Sequence, residues 1–120
     1  MEDFRAFMEQ VVPANRRVFD WSDRVHDPDG KYAIDCRVNG MPRPLFIQAL
    51  PSDDKTRDAT ITLLQFEKWG SPFRSLAIFE NQEEISRKVL ARYSDVCEKQ
   101  FSSLAANRDR IKHFIEDSMV

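Results

Sequence analysis

The sequence predicts an α/β (α+β) domain with an αβββαβ core, a mixed four-stranded sheet and a long C-terminal helix. Three observations predict it. Apolar residues recur at helical spacing near the N-terminus, in the middle of the chain and over its last third. Between those stretches lie short runs that alternate or are continuously apolar, as strands do. Proline and glycine clusters separate the runs at the points where a chain must turn.

Each element has its own justification. Phe4, Phe7, Met8 and Val11 sit at helical spacing over residues 3–12, and Pro13 stops the run. Over 17–26, Phe19, Trp21 and Val25 share one parity, which predicts a strand with those three on one face. Asp27-Pro28-Asp29-Gly30 is a turn signal, because proline pre-sets one backbone angle and glycine accepts positive φ. Over 31–39, Tyr32, Ile34, Cys36 and Val38 alternate with Ala33, Asp35 and Arg37 in a second strand. Asn39-Gly40 opens another turn, with Pro42 and Pro44 outside the sheet. The run Leu45-Phe46-Ile47-Gln48-Ala49-Leu50 predicts a third strand over 44–50 buried on both faces, interrupted by one amide.

Ser52 or Asp53 caps a helix over 53–69, and Gly70 stands where a C-terminal glycine is expected. Ala59, Leu63 and Phe66 form one stripe of that helix, with Ile61 and Leu64 nearly opposite. A helix apolar on two sides is usually covered twice, the second time by another element or chain. RSLAIFE gives a fourth strand over 74–80. From 86 to 116, Leu90, Tyr93, Cys97, Phe101, Leu104, Ile111 and Ile115 mark one apolar seam of a long helix. Unbroken, such a helix would span about 45 Å, so it either breaks near Ala106-Asn107 or projects onto a partner.

The 120 residues fit a single domain over 1–120. Hydrophobic residues make up 42% of the chain and include nine Phe, enough for a core without staples. The net charge of -2 argues against non-specific binding of nucleic acid, although a local basic patch stays compatible with it. No apolar run reaches the roughly 20 residues of a membrane span, and the N-terminus is acidic, unlike a secretory signal. The expected compartment is therefore cytoplasmic, with no membrane partner. Cys36 and Cys97 lack a Cys-x-x-Cys spacing and read as reduced, buried thiols.

Asp35 falls midway along the second strand, and Gln48-Ala49-Leu50 falls on the third, thirteen residues later. In element order and spacing, residues 3–80 resemble the PD-(D/E)xK nuclease-like superfamily. The stretch from Leu45 through Phe101, notably FIQALPSDDKTRDATITLLQFEKWG, is also similar to uncharacterised bacterial and phage domains placed near that fold. The resemblance implies that Asp35 occupies the position of a metal-binding aspartate. It further implies that Gln48 and Leu50 stand where a Glu-x-Lys triplet would supply a second ligand and an ammonium. A hard dication prefers anionic oxygen, and an ammonium stabilises developing charge. With Glu replaced by Gln48 and Lys by Leu50, the expectation is a catalytically degenerate site without a cofactor. Asp35 is then at most a weak Mg2+ or Mn2+ ligand.

A migrated site is the alternative. Lys55 or Arg57, early in the second helix, would replace the lost cation, and Glu9 or Asp53 would add a ligand. The plainer reading is structural: Asp35 and Gln48 share a sheet face and satisfy each other, with Arg37 neutralising the carboxylate. His26 and His113 have no second His at ligand spacing, there is no glycine-rich phosphate loop, and no nucleophile motif stands out. The basic clusters at Arg16-Arg17 and at Arg108, Arg110 and Lys112 read as solvated surface, and Trp21 and Trp69 as packed.

The functional expectation is a protein-interaction or accessory module. Ile61, Leu64, Leu90, Phe101, Leu104 and Ile111 are its candidate interface towards a protein partner or a second copy. An active metal-dependent nuclease, and a small homodimeric chaperone-like or phage-borne inhibitor protein, are the alternatives.

Overall fold

The computed structural model describes residues 1–120. Helix α1 (Asp3–Val11) leads through a 3-10 turn (Ala14–Arg16) into strands β1 (Arg17–Trp21), β2 (Ile34–Val38) and β3 (Leu45–Leu50). Helix α2 (Asp53–Lys68) follows, then β4 (Arg74–Phe79), a 3-10 turn (Gln82–Glu84), α3 (Arg87–Ser94), β5 (Lys99–Phe101) and α4 (Leu104–Ser118). The sheet runs β1-β2-β3-β4-β5. The first three strands are antiparallel neighbours, while β4 and β5 join in parallel. Helices α2 and α3 are the crossovers that parallel pairing requires.

Two hydrophobic cores sandwich the sheet. One unites Phe4, Phe7 and Met8 of α1 and Leu104, Ile111 and Ile115 of α4 with Cys36, Ile47, Leu76 and Ile78. The other unites Ala59, Leu63 and Phe66 of α2 and Val89 and Tyr93 of α3 with Phe46, Leu50, Ala77 and Phe79. All six residues of β3 are buried, because helices cover both faces of this central strand. Ser52, Ser86 and Ser103 each cap the following helix through a side-chain oxygen that accepts a backbone N–H.

Two expectations change. The sheet has five strands rather than four, and the helix expected over 86–116 is two helices separated by β5. Cys97, Phe101 and Leu104 mimic helical spacing, but the chain leaves the helix after Ser94 to place Phe101 in the first core. The longest dimension of the molecule is 36 Å, shorter than the continuous helix would have been. A lesser interruption does lie near the expected point, since Asn107 has non-helical angles (φ -128, ψ 21) inside α4.

The strand expected over 17–26 ends at Trp21, and Val25 is 87% exposed. Phe19 packs against the first core and Trp21 against the second, so the pair does not share a face. Asp20, between them, has φ +48, and this left-handed residue turns the strand over. On β2 the same change occurs: Cys36 and Val38 belong to the first core and Ile34 to the second.

Candidate functional site

Asp35 lies just beyond the end of the β2–β3 ladder, whose last pair is Cys36 with Ile47. The Ala49 N–H donates to Asp35 Oδ2 at 2.8 Å, so the carboxylate takes the place of a strand carbonyl as acceptor. The other oxygen, Oδ1, accepts from Lys55 Nζ at 2.9 Å. Lys55 reaches it because the Ser52 cap starts α2 immediately after β3, placing the first helical turn over the strand ends. Sequence reasoning named both Asp35 and Lys55, and the fold brings them together.

Gln48 is 2% exposed and faces the second core. Its Oε1 accepts from the Tyr93 hydroxyl at 2.7 Å, and its Nε2 donates to the Ala59 carbonyl at 3.4 Å. The expected hydrogen bond between Gln48 and Asp35 is therefore replaced by partners from α3 and α2. Arg37, expected to neutralise Asp35, instead lies over the Trp21 ring at 4.3 Å. Burial drives the Tyr93 phenol well above its ordinary pKa, and a neighbouring thiol, Cys97, adds to the shift. The hydroxyl thus stays a protonated donor to Gln48. Tyr93 was assigned only to an apolar seam, since nothing in its local sequence points across the sheet to residue 48.

Asp35, Gln48 and Lys55 line a crevice of about 350 Å³ together with Asp58, Thr62 and Tyr32. Asp58 and Thr62, one and two turns beyond Lys55 on α2, are further members that the apolar stripe of that helix does not announce. Glu9 and Asp53, the proposed extra ligands, are engaged elsewhere. Glu9 lies 3.9 Å from Arg17, and Asp53 accepts the Ser86 N–H at 2.9 Å. Arg57 pairs with Asp54.

A hard dication requires several oxygen ligands with converging negative charge. Both Asp35 oxygens already have donors, the Gln48 carbonyl is held by Tyr93, and no group of three or more His, Cys, Asp or Glu residues converges anywhere in the chain. Leu50 is fully buried in the second core, where an ammonium would have no access to solvent. Asp35 is thus engaged by protein donors, and Asp58 is the other carboxylate lining the crevice.

The remaining candidates separate clearly. Arg16 holds the Asn39 and Met119 carbonyls. It packs over Gly40, where a Cβ would come within 2.8 Å of its guanidinium. Arg108 reaches Asp3 at 3.5 Å. Trp69 stacks on His26 at 5.0 Å between ring centroids and meets Phe66 edge-on. Among the expected interface residues, Phe101, Leu104 and Ile111 are buried in the chain's own first core, so they present nothing to a partner. Leu90 is partly buried against the second core. Ile61 and Leu64 are 55% and 48% exposed on α2, with Arg57, Thr60, Val89 and Arg92 beside Ile61 in a shallow groove towards α3. No helix is long and apolar enough to cross a membrane. Comparison with family models, with curated proteins and with solved structures finds no match.

Proposed function

We propose that the chain is a catalytically degenerate nuclease-like domain that serves as a protein-interaction or accessory module. The observation that carries this reading is the Asp35 carboxylate, closed by Lys55 Nζ at 2.9 Å and the Ala49 N–H at 2.8 Å. Each of its oxygens already accepts from a protein donor that competes with a metal for its lone pairs. The second position is spent in the same way, with the Gln48 amide bonded to Tyr93 and Ala59. Exposed Ile61 and Leu64, on the face of α2 that the sheet does not cover, support the interaction role.

Calorimetric titration with manganese, alongside incubation with supercoiled and single-stranded DNA, tests the reading. The expected outcome is no saturable heat and no cleavage. Light scattering at high protein concentration then distinguishes a second copy from a different protein as the partner.

One observation favours the alternative of an active metal-dependent nuclease: Lys55 reaches Asp35, as a migrated lysine would, with Asp58 lining the same crevice. Cleavage that depends on manganese and disappears on chelation, in Asp35→Ala and in Lys55→Ala would establish that alternative and overturn the first reading.

A further inference from the structure

A concavity larger than the Asp35 crevice lies away from it. It is a cavity of about 630 Å³ at the β1 side of the sheet, with Trp21, Arg24, Arg37, Pro44 and Pro72 among its lining. Arg37 is the residue there that the fold does not explain. Its guanidinium carbon lies over the Trp21 indole, 4.3 Å from the ring centroid. Its Nε is buried and has no acceptor, and no carboxylate of the chain comes within ion-pair distance of it. Six side-chain ion pairs of Lys or Arg exist in the chain, and none of them is made by Arg37. A partly buried guanidinium without an anion is costly, and the stacked indole compensates only in part.

The charges around Arg37 narrow what would satisfy it. Asp23 lines the cavity, but its carboxylate already accepts from the Val25 and His26 backbone N–H groups and meets the His26 ring. Asp20 is drawn outward to Arg5 at 3.5 Å. Arg24, also in the lining, is exposed and without an acidic partner. With two acids and two guanidinium groups in the lining, the field does not favour a polyanion such as a phosphate chain. It leaves one planar fork to be matched, beside the half-buried indole of Trp21. A carboxylate matches a guanidinium fork with two parallel hydrogen bonds, and a flat apolar body matches the indole.

We propose that this cavity binds a small organic carboxylate whose body is flat and apolar, with Arg37 as the anion-holding residue and Trp21 as the platform. Burial lowers the Arg37 pKa from its ordinary value while Asp23 opposes the shift, which agrees with a cation that has more to gain from a nearby anion. The site is independent of the Asp35 crevice and of the proposed interaction role.

Titration of the 15N-labelled full chain with benzoate, followed through the Trp21 indole N–H resonance, tests it. Acetate and inorganic phosphate are the comparison probes, and Trp69→Phe assigns the indole signals. Saturable shifts with benzoate are expected, with affinity lowered about tenfold or more in Arg37→Met, which keeps the stem but loses the charge-assisted bonds. Arg37→Lys, which keeps the charge but not the fork, is also expected to bind more weakly than the parent. It provides the comparison if Arg37→Met does not fold. Acetate, lacking the body, and phosphate, lacking both body and planarity, are expected to bind at least about tenfold more weakly than benzoate. Absence of a saturable shift at Trp21, undiminished binding in a folded Arg37 variant, or phosphate binding as tight as benzoate would overturn the proposal.

Discussion

The Tyr93 hydroxyl donates to Gln48 Oε1 at 2.7 Å across 45 residues of sequence, joining α3 to the central strand inside the second core. Both groups are buried, so neither has water as a substitute partner. Tyr93→Phe leaves the amide oxygen without a donor and is expected to cost about 1–3 kcal/mol in urea unfolding. Replacing both partners in Gln48→Leu/Tyr93→Phe removes the orphaned acceptor, though it also takes the Gln48 donor from the Ala59 carbonyl. The double variant is therefore expected to be more stable than the sum of the two single losses. Strict additivity in the mutant cycle would show that the hydrogen bond contributes no coupling.

Asp35 offers a different contrast, because its two oxygens serve different partners. Lys55→Met removes a pair in which the lysine side chain is 41% exposed, so the expected loss is at most about 1 kcal/mol and shrinks with added salt. Asp35→Ala removes that pair and also strands the Ala49 N–H at the end of the β2–β3 ladder, for an expected loss of about 1–3 kcal/mol. Asp35→Asn keeps an acceptor for Ala49 and is expected to fall between them. Denaturant midpoints of the three variants at low and high ionic strength check the order.

How far the fold was legible depends on whether the signal was local. Ser52, Pro13 and Gly70 act through their own backbone geometry, and the corresponding helix ends fall within a residue or two of expectation. β5 was not legible, because Cys97, Phe101 and Leu104 repeat at four and three residues while serving a turn, a strand and a helix start. The Ser102-Ser103 pair was the available signal, since Ser103 caps α4. In the crevice, Lys55 was found because a short loop forces the start of α2 over β3. Tyr93 was missed because a buried phenol and a buried amide become partners only once two crossover helices are stacked on the sheet. The faces of β1 were misread because parity counting assumes extended backbone at every residue, and Asp20 departs from it.

The two thiols make a chemical prediction. Burial pushes Cys36 up to about 12, and burial also raises Cys97. Thiolate is the reactive form, so the folded protein at mildly alkaline pH is expected to resist iodoacetamide at both positions. In urea both should alkylate, and mass spectrometry of the quenched samples reads the difference. Rapid single modification under native conditions would mean that one of the two opens to solvent far more easily than its packing allows.

Acid stability has a local contributor in the lining of the β1 cavity. The hydrogen bond from the His26 side chain is the largest cause holding Asp23 below its ordinary carboxylate pKa, and backbone N–H groups of His26 and Val25 assist against a desolvation cost. A carboxyl whose pKa is depressed on folding stabilises the native state above its unfolded value of 3.8 and loses that contribution as pH falls through the lower folded value. The expected signature is a stability difference between the parent and Asp23→Asn that is constant from neutral pH to about pH 5 and narrows below about pH 4. Unfolding midpoints across that range check it, and a difference that widens on acidification would reverse the sign argued here.

Asp20 sets the last test, because its φ of +48 turns β1 over between Phe19 and Trp21. An aspartate tolerates this region better than most side chains, at a cost that glycine escapes. Asp20→Gly therefore relieves strain but gives up an exposed pairing with Arg5 and adds freedom to the unfolded chain, and a net change within about 1 kcal/mol is expected. Asp20→Val is different in kind. A β-branched residue resists the left-handed region, so it would have to hold about 1–3 kcal/mol of strain or let the strand run on extended. Running on would swing Trp21 off Phe46 and Phe66, which it meets at centroid distances of 5.4 and 5.7 Å, and would remove the platform beneath Arg37. Lower thermal stability of Asp20→Val, together with a changed near-ultraviolet circular dichroism signal from tryptophan, is the expected pair of observations. If Asp20→Val kept both the stability and the aromatic signal of the parent, the left-handed residue would not be what divides the faces of β1.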